Sequence, residues 1–108
     1  MKVIPTLAGV PRYSQRTVLD GREYVLSFAW NDRAGAWSLS VADALGVPIV
    51  DGVRINVGLP LFRLVTDPRC FPGDVIAVDR EGLGDPSLND LGTRVLLFYL
   101  EASDLAAS

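Results

Sequence analysis

The chain is expected to be all-β, a small antiparallel sandwich or open barrel of roughly seven short strands built from successive hairpins. Three observations predict this. Bulky apolar residues alternate with small or polar ones along several segments, most clearly Tyr24-Val25-Leu26-Ser27-Phe28-Ala29-Trp30, which is the period of a pleated strand. Glycine, proline, asparagine and aspartate cluster between these segments, where turn chemistry belongs. The spacing of those turns, roughly 8–12 residues, is that of sandwiches and small barrels.

In chain order, residues 1–14 read as an extended leading segment. Tyr24, Leu26, Phe28 and Trp30 share one strand face, and Trp37, Leu39 and Val41 repeat the pattern after Asn31-Asp32-Arg33-Ala34-Gly35, so a hairpin is expected with the loop at 31–35. Residues 38–46 fit either a short helix closed by Gly46 or a strand to Ala42 followed by a turn. The strand is preferred because Pro48 follows at once. Asp51-Gly52 lies between Ile49-Val50 and Val53-Arg54-Ile55-Asn56-Val57 and predicts a tight hairpin there. Residues 58–73 are broken by Gly58, Pro60, Pro68, Pro72 and Gly73, with a brief pairing possible for 61–65. Val75–Val78 is a strand, 79–92 a polar loop, Arg94–Leu100 the last strand, and 101–108 a short frayed tail.

The length of 108 residues fits one domain, 1–108, with a real but thin core. Forty-nine per cent of the chain is apolar and 21% charged, a globular balance. No stretch approaches the ~20 apolar residues of a membrane span, and the start of the chain lacks the apolar region of a signal peptide, so synthesis in the cytoplasm is expected. The net charge is −3 and the positive residues are scattered. Nucleic-acid binding, which needs clustered cations, is therefore not expected.

The residues for chemistry are sparse. There is no histidine and one cysteine, Cys70, which removes the commonest general base and any disulfide or cysteine-based zinc site. Gly82-Leu83-Gly84 lacks the third glycine and the helix that a dinucleotide turn needs. Asp85-Pro86-Ser87-Leu88-Asn89-Asp90 starts like a calcium loop but has Asp90 and Leu96 where glycine and glutamate are required. Asp79, Glu81, Asp85 and Asp90 have no accompanying base or nucleophile, and Ser14, Ser27, Ser38 and Ser40 have no histidine to activate them. Catalytic, cofactor and metal sites are accordingly all expected to be absent. Trp30 and Trp37 are read as a cross-strand core pair; stacking on a sugar is the rival.

The last strand is the informative one. Val95, Leu97 and Tyr99 face one way, and Leu96, Phe98 and Leu100 the other, so both faces need cover. The chain's own loops, with Leu59, Leu61 and Phe62, are one source, and another subunit is the second. Leu96, Phe98, Leu100, Leu59, Leu61 and Phe62 are the candidate interface residues.

Several segments carry a family resemblance. Trp30-Asn31-Asp32-Arg33-Ala34-Gly35-Ala36-Trp37, then Asp43, Gly46, Pro48 and Gly52, then Gly58-Leu59-Pro60-Leu61, Asp67-Pro68-Arg69 and Pro72-Gly73, and finally Asp85-Pro86, Asp90-Leu91-Gly92-Thr93-Arg94-Val95 and Tyr99 resemble, in order and spacing, the small baseplate plug proteins of contractile-tailed phages. The likeness covers about residues 22–100; Cys70-Phe71 depart from the aliphatic and proline residues more usual there. It implies a β-rich, non-enzymatic virion subunit on the tail axis that closes the tail-tube end and contacts hub, spike and tube proteins. A homo-oligomer is implied, a trimer by symmetry, with no nucleic acid or membrane partner. Arg33 and Arg94 would brace turns by pairing with nearby aspartates. The alternative function is a small-ligand or carbohydrate-binding β-domain presenting an exposed aromatic such as Trp37.

Overall fold

A computed structural model describes residues 2–58, 60–62 and 69–101. Seven strands run in the order β1 (Lys2–Ile4), β2 (Arg12–Leu19), β3 (Arg22–Asn31), β4 (Ala36–Asp43), β5 (Pro48–Arg54), β6 (Asp74–Asp79) and β7 (Val95–Leu100). They form two sheets, β2-β3-β4-β5 and β1-β7-β6. Every ladder is antiparallel, and no helix occurs among the described residues. The sheets face each other as a sandwich that does not close into a barrel.

The expected β3–β4 hairpin is present, with Trp30 opposite Trp37 and the two rings 5.8 Å apart. The turn is wired by Asn31, whose side-chain oxygen accepts the amides of Arg33 and Ala34 at 3.0 and 3.1 Å. Arg33 thus contributes its backbone to the turn that was expected to use its charge. The strand reading of 38–42 also holds. β4 ends at Asp43, whose carboxylate accepts the Leu45 and Val47 amides, each at 2.9 Å, and so stops the strand in an Asx-type turn.

Two expectations fail. Asp51-Gly52 is not a hairpin: it lies inside β5, which pairs with β4 on both sides of it, Leu39 with Val53 and Val41 with Val50. One extra residue on β5 makes a bulge. The Ser40 hydroxyl fills the gap, donating to Asp51 at 2.7 Å and accepting the Gly52 amide at 3.0 Å. The tight Asp-Gly turn is instead Asp20-Gly21, joining β2 to β3 with φ of 52° and 78°. Both positive values match a type I′ hairpin. Within the extended leading segment 1–14, Lys2–Ile4 and the start of β2 pair as strands. The count of seven therefore agrees with expectation, but β1 and β2 stand where Val53–Val57 and 61–65 were expected. Of the latter pair, 63–65 lie outside the described residues.

The core lies between the sheets. Tyr24, Leu26 and Phe28 of β3, Trp37, Leu39 and Val41 of β4, and Val95, Leu97 and Tyr99 of β7 are all buried. Phe71 occupies one end, edge-on to Tyr24 at 5.5 Å, Phe62 at 5.0 Å and Tyr99 at 5.4 Å, bridging the two sheets with the quadrupole-favoured geometry. Cys70-Phe71, the pair that departs from the resembled pattern, therefore supplies a central core ring.

The two lateral seams differ. On one side the chain crosses from sheet to sheet: the Ile55 amide donates to Trp37 at 2.9 Å, Val57 bridges Ala77, and the Gly58 and Leu61 amides donate to Ala77 and Val75 at 2.9 and 2.8 Å. On the other side β1 and β2, the edge strands of the two sheets, have no backbone bond between them. Side chains stitch them: Lys2 Nζ to the Val18 carbonyl at 2.8 Å, Gln15 Nε2 to the Pro5 carbonyl at 2.6 Å, and the Leu7 amide to the Tyr13 hydroxyl at 3.0 Å.

Candidate interaction surface

β7 is apolar on both faces, and the structure treats those faces differently. Val95, Leu97 and Tyr99 have no exposed surface, whereas Leu96, Phe98 and Leu100 are half-buried on the outside of the β1-β7-β6 sheet. Residues directly opposite in a ladder point the same way, so the register places Val3 and Ile76 on either side of Phe98, and Val78 beside Leu96. Val3 is 50% and Val78 40% exposed. The result is an outer sheet face made of valine, isoleucine, leucine and phenylalanine, where an antiparallel sheet in a small domain ordinarily carries polar residues. On it Val3 and Val78 are exposed, and Leu96, Phe98, Leu100 and Ile76 keep part of their surface accessible.

The loop candidates behave differently from one another. Phe62 is 5% exposed and packs on Phe71, so it is a core residue and contributes nothing to an outer surface in this chain. Its amide is held by Asp74 at 2.9 Å. Leu61 is half-buried against the core. Leu59 lies outside the described residues.

Arg94 and three aspartates organise the 79–94 loop beside this face. Asp79, at the end of β6, accepts the amides of Glu81 at 2.9 Å, Leu83 at 2.5 Å and Gly84 at 2.7 Å, together with the Arg94 guanidinium. Burial pushes its pKa up, but the three amides and Arg94 outweigh that and hold it below the usual carboxylate value. Asp90 is held at about 2, first by the Ser87 hydroxyl and then by Arg94, which it meets at 3.0 Å. Asp85 accepts the Val57 amide at 2.7 Å and ties the loop to the crossing segment. These carboxylates serve backbone amides and one arginine, and no group of three or more metal-ligating side chains gathers among the described residues. Arg94 braces its turn as expected.

A second carboxylate links the sheets. The Tyr99 hydroxyl donates to Asp20 in the β2–β3 turn and accepts the Gly73 amide at 3.0 Å. Burial, and then the bond to Asp20, push the tyrosine pKa up. Trp37, the aromatic on which a sugar would stack, is fully buried, and its indole N–H donates to the Ser87 carbonyl at 3.0 Å. The carbohydrate reading loses that residue. β1, which supplies Val3 to the outer face, carries no recognisable signal in the residue pattern; three residues are too few to show a period.

Among the described residues the domain is a two-sheet β-sandwich whose 79–94 loop is tied by its own carboxylates and Arg94, with an apolar outer face on the β1-β7-β6 sheet. A comparison with curated proteins finds no match. A family model does match: residues 1–102 fit the family described as the cyanophage baseplate Pam3 plug gp18, and the chain belongs to that family. It is thus a phage baseplate structural protein of all-β fold.

Proposed function

We propose that this chain is a non-enzymatic subunit of a phage or prophage contractile-tail baseplate that plugs the end of the tail tube and links hub and spike. It acts as a homo-oligomer, a trimer by the symmetry of the tail axis, in contact with hub, spike and tube proteins. The observation that carries this reading is the family match over residues 1–102; the apolar outer face of the β1-β7-β6 sheet supports it. Leu96, Phe98 and Leu100 are the contact residues, rimmed by Val3, Ile76 and Val78, with Leu61 as a further contact. Fully burying a leucine or phenylalanine is worth about 1.5–3 kcal/mol. Completing the cover of three half-buried side chains is therefore a substantial driving force for association.

The test is a mass measurement by light scattering across a range of concentrations, paired with binding to the tail hub protein of the same phage or prophage. The wild type is expected to self-associate and to bind the hub. Phe98→Asp is expected to remain folded, since the residue lies outside the core, and to lose both properties. A monodisperse wild-type monomer with no affinity for the hub overturns the reading.

A further inference from the structure

β1 is the most weakly attached strand of the molecule, yet it fills a core position. Its only backbone ladder is the short register with β7: Lys2 with Tyr99, Val3 with Phe98 and Ile4 with Leu97. Toward β2 it is held by side chains alone, through Lys2, and just beyond its end through Pro5. Even so, Ile4 is 1% exposed and packs in the main hydrophobic cluster. The segment 5–11 that joins β1 to β2 is exposed apart from Thr6 and is bounded by Pro5 and Pro11.

The partners of β1 lie far away in sequence, β7 near the opposite end of the described chain and Val18 beyond the linker. Every contact that seats β1 is therefore available, at the same register, to β1 of another copy. What decides between the two arrangements is the path of segment 5–11, which either folds back or crosses over. Seven extended residues reach about 23–25 Å, and the shortest extent of the molecule is 21 Å. The slot between β7 and β2 also adjoins the outer face, because Val3 stands beside Phe98 on it. Two copies in contact through that face would bring one copy's linker to the edge of the other's slot.

We infer that β1 is an exchangeable arm. In the self-associated protein each copy inserts Lys2–Ile4 between β7 and β2 of its neighbour. Ile4 enters the neighbour's core, and the Lys2 ammonium donates to the neighbour's Val18 carbonyl. The exchange is head-to-tail, so it closes into a ring when the rotation permits. This rests on the self-association proposed above, and it specifies which segment of the second copy is the partner.

The experiment uses the cysteine pair Val3→Cys/Phe98→Cys in a Cys70→Ser background. Directly opposed ladder residues have Cβ atoms about 4.5–5.5 Å apart, close enough to bridge with a small backbone adjustment. The oligomeric fraction is oxidised and run on a denaturing, non-reducing gel. The expected result is a ladder of covalent multimers that reductant collapses and that neither single-cysteine variant forms. A self-associated protein with only within-chain disulfides overturns the arm exchange and leaves the self-association standing. A monomer at every concentration overturns both.

Where Phe98→Cys itself dissociates the assembly, Val18→Cys in the same Cys70→Ser background replaces it. Lys2 is the chain's single lysine, so a short amine-to-thiol reagent can join it to position 18. In an oligomer co-refolded from ¹⁴N and ¹⁵N chains, linked peptides of mixed isotope are expected, and linked peptides of one isotope alone overturn the exchange.

Discussion

Removing one oxygen should loosen the join between the two sheets. In Tyr99→Phe the ring stays, with its edge-on contact to Phe71 at 5.4 Å, but two hydrogen bonds go. One is donated to the Asp20 carboxylate and the other is accepted from the Gly73 amide. A hydrogen bond to a charged group is worth about 1.5–3 kcal/mol. Asp20 is solvent-exposed, so the lower end applies, about 1.5 kcal/mol. The Gly73 amide is partly buried and donates to this phenol. Leaving it unpaired and partly buried costs about 1 kcal/mol more. The sum, about 2–3 kcal/mol, is a large share of the ~5–15 kcal/mol typical of a domain. Urea unfolding followed by tryptophan fluorescence measures it, since Trp37 is fully buried and reports loss of the core. Asp20→Gly removes the acceptor and tolerates the positive φ at that turn, so a double-mutant cycle isolates the pair. A Tyr99→Phe loss below about 0.5 kcal/mol, or a coupling near zero, would refute the view that this contact holds the sheets together.

Two further outcomes follow from the site geometry. Leu97→Ala should cost about 2–5 kcal/mol and Leu96→Ala under about 1 kcal/mol in the isolated protein, because Leu97 is fully buried and Leu96 faces outward; equal losses on denaturation would contradict the face assignment. Asp90 is held at about 2 in the fold against an ordinary 3.8, and Asp79 is lowered too. The folded state therefore binds fewer protons than the unfolded one below about pH 4, so the stability these carboxylates provide is present above that pH and drains away as pH falls toward 2. Asp90→Asn should unfold at lower urea at pH 7 and show a shallower fall across that window, and an unchanged acid slope would count against Arg94 and Ser87 as the cause.

The residue pattern made the core legible and left the edges obscure, for identifiable reasons. β3, β4 and β7 alternate in large side chains, and their inward sets are the buried ones. β2 reads Arg12-Tyr13-Ser14-Gln15-Arg16-Thr17-Val18-Leu19; its inward positions are filled largely by Tyr13, Gln15 and Thr17, so an edge strand with real pairing shows almost no hydrophobic period. The two Asp-Gly pairs show the limit of a dipeptide signal. At 20–21 the flanking residues, Leu19 and Arg22, pair with each other, and the turn forms. At 51–52 the preceding run is short and begins at Pro48, and β4 is long enough to pair with both flanks, so the same dipeptide becomes a bulge. The outer-face candidates on β7 followed from strand alternation. Phe62 did not, because which way a loop ring turns depends on where Phe71 waits for it, and no local pattern encodes that.

The order of the strands also dictates a timetable. β2 to β5 form a meander of neighbours, each closing a short loop onto the one before, and such local closures are fast. The other sheet has its last-synthesised strand at its centre, so until residue 100 has left the ribosome β1 has no ladder partner and β6 has only its bridge and bonds to the crossing at 57–61. For that interval the nascent chain holds half a sandwich, its inner surface bare. Pulse-labelled amide exchange during refolding should accordingly protect β3 and β4 before β1.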